Sequence, residues 1–276
     1  MHKIKDVLKS LLEENSDKTI LYRRNILKEY LQIFVLDFIY SNKKYKDLIF
    51  YGGSCLSQCY GLPRLSEDLD FVVIKKKINL KEMAVGLEKY FKDKTDLRPI
   101  AKIQKFRIYL KFHVLEELEL SDKSESDILL LKVEIFKGFD FCKKYKTEIK
   151  PLFKLNKSLL VKVFDLPTLM STKILAVLNR KWEKTDKQGN TLLAVKGRDY
   201  FDLMWYIEKG VRPNIECLDK AKNLDEVKKN LINIINKVDA KSIKLDLENF
   251  ISDADFVKNL SGNIKNILIS GVEKME

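Results

Sequence analysis

Asp68 and Asp70 stand two residues apart at the head of the apolar run Leu69-Asp70-Phe71-Val72-Val73-Ile74, and the chemistry open to such a pair is cation binding. The β-branched and aromatic residues predict a strand, on which residues two apart share a face, so both carboxylates project together while Glu67 points away. Two adjacent carboxylates repel, and a hard divalent cation carrying a triphosphate relieves that repulsion through oxygen ligands. Thirteen residues upstream of this pair the stretch Asp47-Leu48-Ile49-Phe50-Tyr51 runs into Gly52-Gly53-Ser54. Backbone without side chains can approach phosphate oxygens there, before a helix expected to begin at about Ser54. Arg64 and Ser66 lie just ahead of the acidic pair, placed to support either the carboxylates or the phosphates.

A second set of charged residues lies a hundred positions later. Lys173, Ala176, Val177 and Arg180 fall on one face of an expected helix, and Asp199, Asp202 and Tyr206 share a face of the next. Opposed, these faces would set Lys173 and Arg180 near Asp199, an arrangement suited to an ion-pair network or to gripping a triphosphate. For Arg198 and Asp202 the competing reading is plain helix packing. Glu134 is a charge inside the apolar stretch Leu129–Phe136, and a buried acid there needs a cation or partner. Its alternative is a salt bridge to Lys132, two residues away on the same face, and Lys132 could itself contact phosphate.

Other residues carry less. His113 sits in an alternating strand and His2 near the amino terminus, so no Ser/His/Asp or Cys/His set can be assembled. Trp182 and Trp205 fit helix packing better than base stacking. Lys75-Lys76-Lys77 closes the Asp68–Asp70 strand, as a solvated turn or as a guide for an RNA acceptor.

The elements that must position these groups follow a simple order. Helices are expected over 3–14 and 19–40, then strand 47–51, helix 54–60, strand 68–75, helix 80–93 and strands near 101–115, 128–137 and 158–164. Asp122 to Asp127 reads as a polar turn. Beyond Asp165-Leu-Pro167 the pattern is helical, at about 168–184, 197–208, 215–238 and 246–270, with Thr185 to Asn190 as a charged loop. The fold class is α+β (α/β): a mixed-sheet domain over 1–165 with amino-terminal helices, then a helical domain over 166–276.

At 276 residues the chain can bury one large or two ordinary cores. The four cysteines, Cys55, Cys59, Cys142 and Cys217, form no CxxC pair and are expected to be reduced, as in a cytosolic protein. No signal-peptide pattern or membrane-length apolar run appears, so a cytoplasmic location and no membrane partner are expected. The net charge is +12, and the basic surplus concentrates in residues 1–160, with 32 Lys and Arg against 23 Asp and Glu. Such a field favours a polyanion such as a nucleotide or nucleic acid, although a lysine-rich surface also serves solubility alone.

The Gly52-Gly-Ser54 turn followed by Arg64-x-Ser66-x-Asp68-x-Asp70-Phe71 resembles the AbiEii/AbiGii toxin family within the minimal nucleotidyltransferases of the DNA polymerase beta superfamily. The blocks Lys173-x-x-Ala176-x-x-x-Arg180 and Arg198-Asp199-x-x-Asp202-Leu203 are similar to that family's second signature. The resemblance implies a nucleotidyltransferase fold with the nucleotide in a cleft to which both domains contribute. It implies transfer of a nucleoside monophosphate from a nucleoside triphosphate to a hydroxyl, with Mg²⁺ or Mn²⁺ at Asp68 and Asp70. Gly52, Gly53, Ser54, Arg64, Ser66 and Arg180 are then nucleotide-binding, and Lys173, Asp199 and Glu134 catalytic. Members act as toxins of toxin–antitoxin and phage-defence (abortive-infection) systems, some on tRNA acceptor ends, so an RNA acceptor, tRNA above all, and a cognate antitoxin are the implied partners. The alternatives are the same chemistry on a small molecule or protein hydroxyl, and a nucleotide-binding protein that does not catalyse.

Overall fold

Alternation of apolar side chains lays down a seven-stranded mixed sheet among the described residues of a computed structural model, which describes 3–75, 77–121, 126–140, 142–180, 184–185, 191–193, 195–218 and 223–275. His2, Lys76, Trp182 and most of the two expected polar loops, 122–125 and 186–190, lie outside the described residues. The chain divides into two compact units: one holds residues up to Phe139 with Thr147–Val163, the other Asp140–Lys146 with everything from Phe164 onward.

The first unit begins with helices α1 (Ile4–Glu13) and α2 (Ile20–Tyr40). Thr19 caps α2 by accepting from the Tyr22 amide, a contact worth about 1 kcal/mol. Then come β1 (Ile49–Tyr51), α3 (Gly52–Tyr60), β2 (Leu69–Val73), α4 (Leu80–Lys94), β3 (Ile100–Gln104), β4 (Arg107–His113), β5 (Ile128–Lys137), β6 (Thr147–Lys154) and β7 (Lys157–Phe164). The sheet order is β3-β4-β5-β2-β1-β7-β6. Pairing is antiparallel between β1 and β2 and parallel between β2 and β5 and between β1 and β7. One face carries Phe50 and Phe71, stacked at 5.1 Å between ring centres, with Phe34, Phe91 and Phe112 packed in the same core.

Three local expectations change here. The helix after β1 starts at Gly52, not at Ser54, because Gly52 takes φ +81° and turns the chain straight into it. The single strand zone near 101–115 is a hairpin, β3 and β4, turning at Lys105 with φ +56°. Strand β6 had no counterpart in the sequence reading; it is a sheet edge whose residues are mostly exposed, so the apolar alternation is faint.

The second unit contains α5 (Leu166–Asn179), the short strands β8 (Lys184–Thr185) and β9 (Thr191–Leu193), and α6 (Gly197–Glu208). A 3-10 turn (Ile215–Cys217), α7 (Leu224–Ile235), α8 (Ala240–Leu247) and α9 (Ala254–Glu273) follow. The two long helices expected over 215–238 and 246–270 are broken where Asn223, Asp239 and Asp253 cap new helices with their side chains. Cys142 and Cys217 form a disulfide across 75 positions, against the expectation of four reduced thiols. Such a pair is invisible to spacing, because tertiary packing alone brings its halves together; Cys55 and Cys59 are free. Among the described residues no helix is long and apolar enough to cross a membrane.

Candidate active site

In the first unit the site grows from the junction of β1 with α3. A Cβ built on Gly52 would stand 2.6 Å from Asp70 Oδ2, inside any real contact distance. Asp70 therefore occupies space that only glycine leaves, and the backbone conformation demands glycine as well. A Cβ on Gly53 would meet Arg64 Nη2 at 2.7 Å and Ser66 Oγ at 3.1 Å. The glycine pair thus seats the buried Arg64 and Ser66 on one side and Asp70 on the other. Ser54, wholly buried in the first turn of α3, has a hydroxyl without a hydrogen-bond partner. Free amides and the helix dipole at such a turn favour an anion.

Strand register supplies the carboxylates. Asp70 pairs with Tyr51 on β1 and Glu134 on β5, and Glu134 pairs with Arg107 on β4, so all four lie in one row across the sheet. Lys132 Nζ lies 2.8 Å from Asp68 Oδ2 and 3.0 Å from Glu134 Oε1, and Arg107 Nε donates to that same Glu134 oxygen at 2.7 Å. Burial raises the Asp68 pKa above its ordinary value, outweighing the pull of Lys132, while the contacts with Asp68 and Glu134 hold the Lys132 pKa up against its own burial. Burial also pushes the Tyr51 hydroxyl well up, with the charges of Asp70 and Glu134 adding to it. Glu134 is thus held by two cations: Lys132, the pairing set out above as the alternative to a catalytic role, and Arg107, which the sequence did not suggest.

Among the described residues no three His, Cys, Asp or Glu side chains form a cage for a metal ion. Mg²⁺ needs no such cage, since it usually takes one or two carboxylates plus substrate phosphates and keeps several waters. The hard oxygens of Asp70, against Gly52, and of Asp68, together with the orphaned Ser54 hydroxyl, are of the chemistry that mode uses.

Sequence reasoning missed how the acidic segment is held. The Ser66 amide donates to Glu29 Oε2 at 3.2 Å, and Gln32 Nε2 donates to the Ser66 carbonyl at 2.8 Å, both from α2. Burial raises the Glu29 pKa. Nothing in the helical periodicity of α2 distinguishes these two polar residues from solvent-facing ones.

The second unit gathers its own charged set. Lys173 on α5 lies 2.8 Å from Asp199 Oδ1 and 2.8 Å from Asp202 Oδ2 on α6, and Arg180, the residue capping α5, pairs with the other Asp199 oxygen. Burial would raise the Asp199 pKa, yet Lys173, Arg180 and Lys196 together lower it to about 2. Lys196, unmarked in the sequence reading, has its pKa lowered to about 8, by burial first and then by the neighbouring cations Arg198, Arg180 and Lys173. Arg198 turns instead to Asp246, 3.3 Å from its Nε, and lies 3.8 Å over the Phe250 ring. Trp205 and Tyr206 are buried and pack edge-on. His113 is half-exposed on β4, its Nδ1 3.5 Å from Asp127.

The family model described as "Nucleotidyl transferase AbiEii toxin, Type IV TA system" matches residues 37–273. No curated protein matches the chain. Eight solved chains do. JHP933 from Helicobacter pylori is 18% identical over 91% of this chain and 94% of its own, with a TM-score of 0.49. A second H. pylori structure is 19% identical over 91% and 97%, with a TM-score of 0.46.

Proposed function

We propose, since the chain belongs to the AbiEii nucleotidyl transferase toxin family of type IV toxin–antitoxin systems, that it transfers a nucleoside monophosphate from a nucleoside triphosphate to RNA, the 3′ end of tRNA being the acceptor. The observation that carries this reading is the row Tyr51, Asp70, Glu134 set against a glycine turn that leaves room for Asp70 and an unpartnered Ser54 hydroxyl.

Asp68 and Asp70 are the residues that would hold the cation and, through it, orient the triphosphate. When bound there, Mg²⁺ or Mn²⁺ supplies neutralisation of the charge that phosphoryl chemistry develops. The Gly52 and Gly53 backbone admits the phosphate chain, and Ser54 Oγ donates to one of its oxygens. Arg64, buried against Gly53, adds positive charge, and Ser66 keeps the segment ahead of Asp68 in place. Lys132, paired with Asp68, would have to release that carboxylate for Asp68 to serve as a ligand. Within the helical unit Lys173 and Arg180 form a cationic pair around Asp199. Asp199, with its pKa near 2, is too weak a base to take the hydroxyl proton and serves to orient Lys173. Glu134, in register with Asp70, is assigned as a third carboxylate beside the cation. A cognate antitoxin and a cytoplasmic site of action complete the reading.

Incubating the pure protein with each labelled triphosphate and total tRNA tests it. Label on tRNA that disappears in Asp70→Ala is the expected result. An Asp70→Ala protein as active as the parent would overturn the cation assignment.

A further inference from the structure

Strand register carries the acidic pair outward onto a surface that the reaction described above does not use. On the side of the sheet away from the Phe50 core, Asp68 lies against Lys132 of β5, Lys132 pairs with Tyr109 of β4, and Tyr109 pairs with Lys102 of β3. Paired residues share a face. Asp68, Lys132 and Tyr109 are half-buried and Lys102 is exposed, so solvent reaches this row from the acidic pair out to the sheet edge. Two residues further along β4 a second row on the same face runs Leu130, Lys111, Ile100, with Leu130 38% and Ile100 50% exposed. The alternate residues Ile108, Leu110, Phe112, Leu131 and Val133 are buried on the core side.

The charge on this face says what it takes. Arg107 and Lys132 are held by Glu134 and Asp68, whereas Lys102 and Lys111 have no acidic partner among the described residues. Glu134 is the one acid that β3, β4 and β5 present on this side, and Asp127 lies beyond them at the His113 end. Lys102 on the edge strand also discourages pairing with a second copy, but Lys111 stands on an interior strand between two exposed aliphatic residues, where no edge needs protecting. The Tyr109 ring packs on no other aromatic ring among the described residues, and its hydroxyl meets Arg107. A ring flanked by unpaired cations is what unpaired bases stack on while their phosphates are neutralised.

We propose that the outer face of β3 and β4, with Tyr109 at its centre and Lys102 and Lys111 beside it, binds the single-stranded end of the RNA acceptor, one base stacking on Tyr109 and adjoining phosphates lying against the two lysines. The proposal rests on the RNA-directed reading above and adds where the acceptor lies. Adjacent strands are about 4.8 Å apart, so Tyr109, two strands from Asp68, stands about 10 Å from the acidic pair. The bound strand therefore lies beside the reacting groups.

Fluorescence anisotropy with a labelled single-stranded oligoribonucleotide reads acceptor binding without any transfer, on the parent and on variants whose thermal melts match it. Tyr109→Ala should lower RNA affinity about tenfold, while Tyr109→Phe, which keeps the ring, should stay within about twofold of the parent. Lys102→Gln/Lys111→Gln should make the dependence of log affinity on log salt shallower by about 1.4, the share of two phosphate contacts to a single strand. Lys89→Gln/Lys92→Gln, on the exposed side of α4, which packs against the other face of the sheet through Phe91, should change neither. Where Tyr109→Ala melts early, the lysine variant decides alone. No RNA binding by the parent, an unchanged salt slope, equal losses in Tyr109→Ala and Tyr109→Phe, or an equal effect of the α4 pair overturns the proposal. So does a parent dimer that the lysine variant converts to monomer with RNA binding intact, which would make the face a protein interface. A parent that binds RNA through Tyr109 yet transfers no label leaves this face standing and sinks the transferase reading. A parent that labels tRNA with the same KM after loss of Tyr109 does the reverse.

Discussion

Lys132 reaches Asp68 across 2.8 Å and so places an ammonium against one of the two carboxylates that would otherwise bind a divalent cation. The same ammonium lies 3.0 Å from Glu134. In the absence of metal it relieves the repulsion that Asp68 and Glu134 would exert on each other.

Lys132→Met should therefore make the protein more dependent on metal. The metal-free variant is expected to lose about 1 kcal/mol, the scale of a partly exposed ion pair. Saturating Mg²⁺ should raise its melting temperature by more than it raises that of the parent. Equal Mg²⁺ shifts in both proteins would mean that Lys132 and the cation do not share Asp68.

Gly52 and Gly53 should differ in tolerance. Alanine at 52 combines a left-handed backbone with a clash against Asp70 Oδ2, whereas alanine at 53 meets the far ends of Arg64 and Ser66, which can shift. Gly52→Ala is expected to cost about 1 to 2 kcal/mol of stability and to lower kcat at least a hundredfold. Gly53→Ala should fall well short of that. Urea unfolding and steady-state kinetics on the two variants decide the order.

Lys173 holds two buried carboxylates of the helical unit at once, so Lys173→Met should destabilise by about 3 to 5 kcal/mol. Arg180, on a more exposed side chain, should cost less when replaced by Met. Both values follow from urea unfolding curves.

Asp199 ties stability to acid pH. Its pKa in the folded chain, about 2, is below the 3.8 of a free aspartate, so its contribution is complete above about 4 and vanishes as pH falls through 2. The span corresponds to about 2 kcal/mol. Asp199→Asn should flatten the stability curve across that window, and a curve as steep as the parent's would contradict the assignment.

Lys196 works at the other end of the scale. Its folded pKa of about 8 lies below the ordinary 10.5, so the unfolded chain binds more protons between those values and stability rises with pH across them. Denaturant midpoints at pH 8 and pH 10 should show that rise in the parent and a smaller one in Lys196→Met.

Much of the first constellation was legible because its signals are local. Asp68 and Asp70 share a face through strand alternation alone, and Gly52-Gly53 announces a turn where side chains are unwelcome. Strand β5 ends where its apolar run ends. Legibility failed where local signals are weak or where partners are distant. Edge strand β6 shows little apolar alternation, and Asp239 and Asp253 look like any surface acid until each is seen capping a helix. Glu29 and Gln32 read as the polar side of α2, yet they hold the backbone of Ser66.

Local pattern was enough for the acidic pair, the glycine turn before it, the α+β (α/β) class and the family to which the motifs point. It is the packed fold that gives Glu134 Arg107 as well as Lys132, sets Lys173 against both Asp199 and Asp202, and joins Cys142 to Cys217. The division has a physical cause. Alternation and turn chemistry act over a few residues and leave their mark in spacing. An ion pair or a disulfide between distant segments depends on strand register and helix packing, which arise from the whole core.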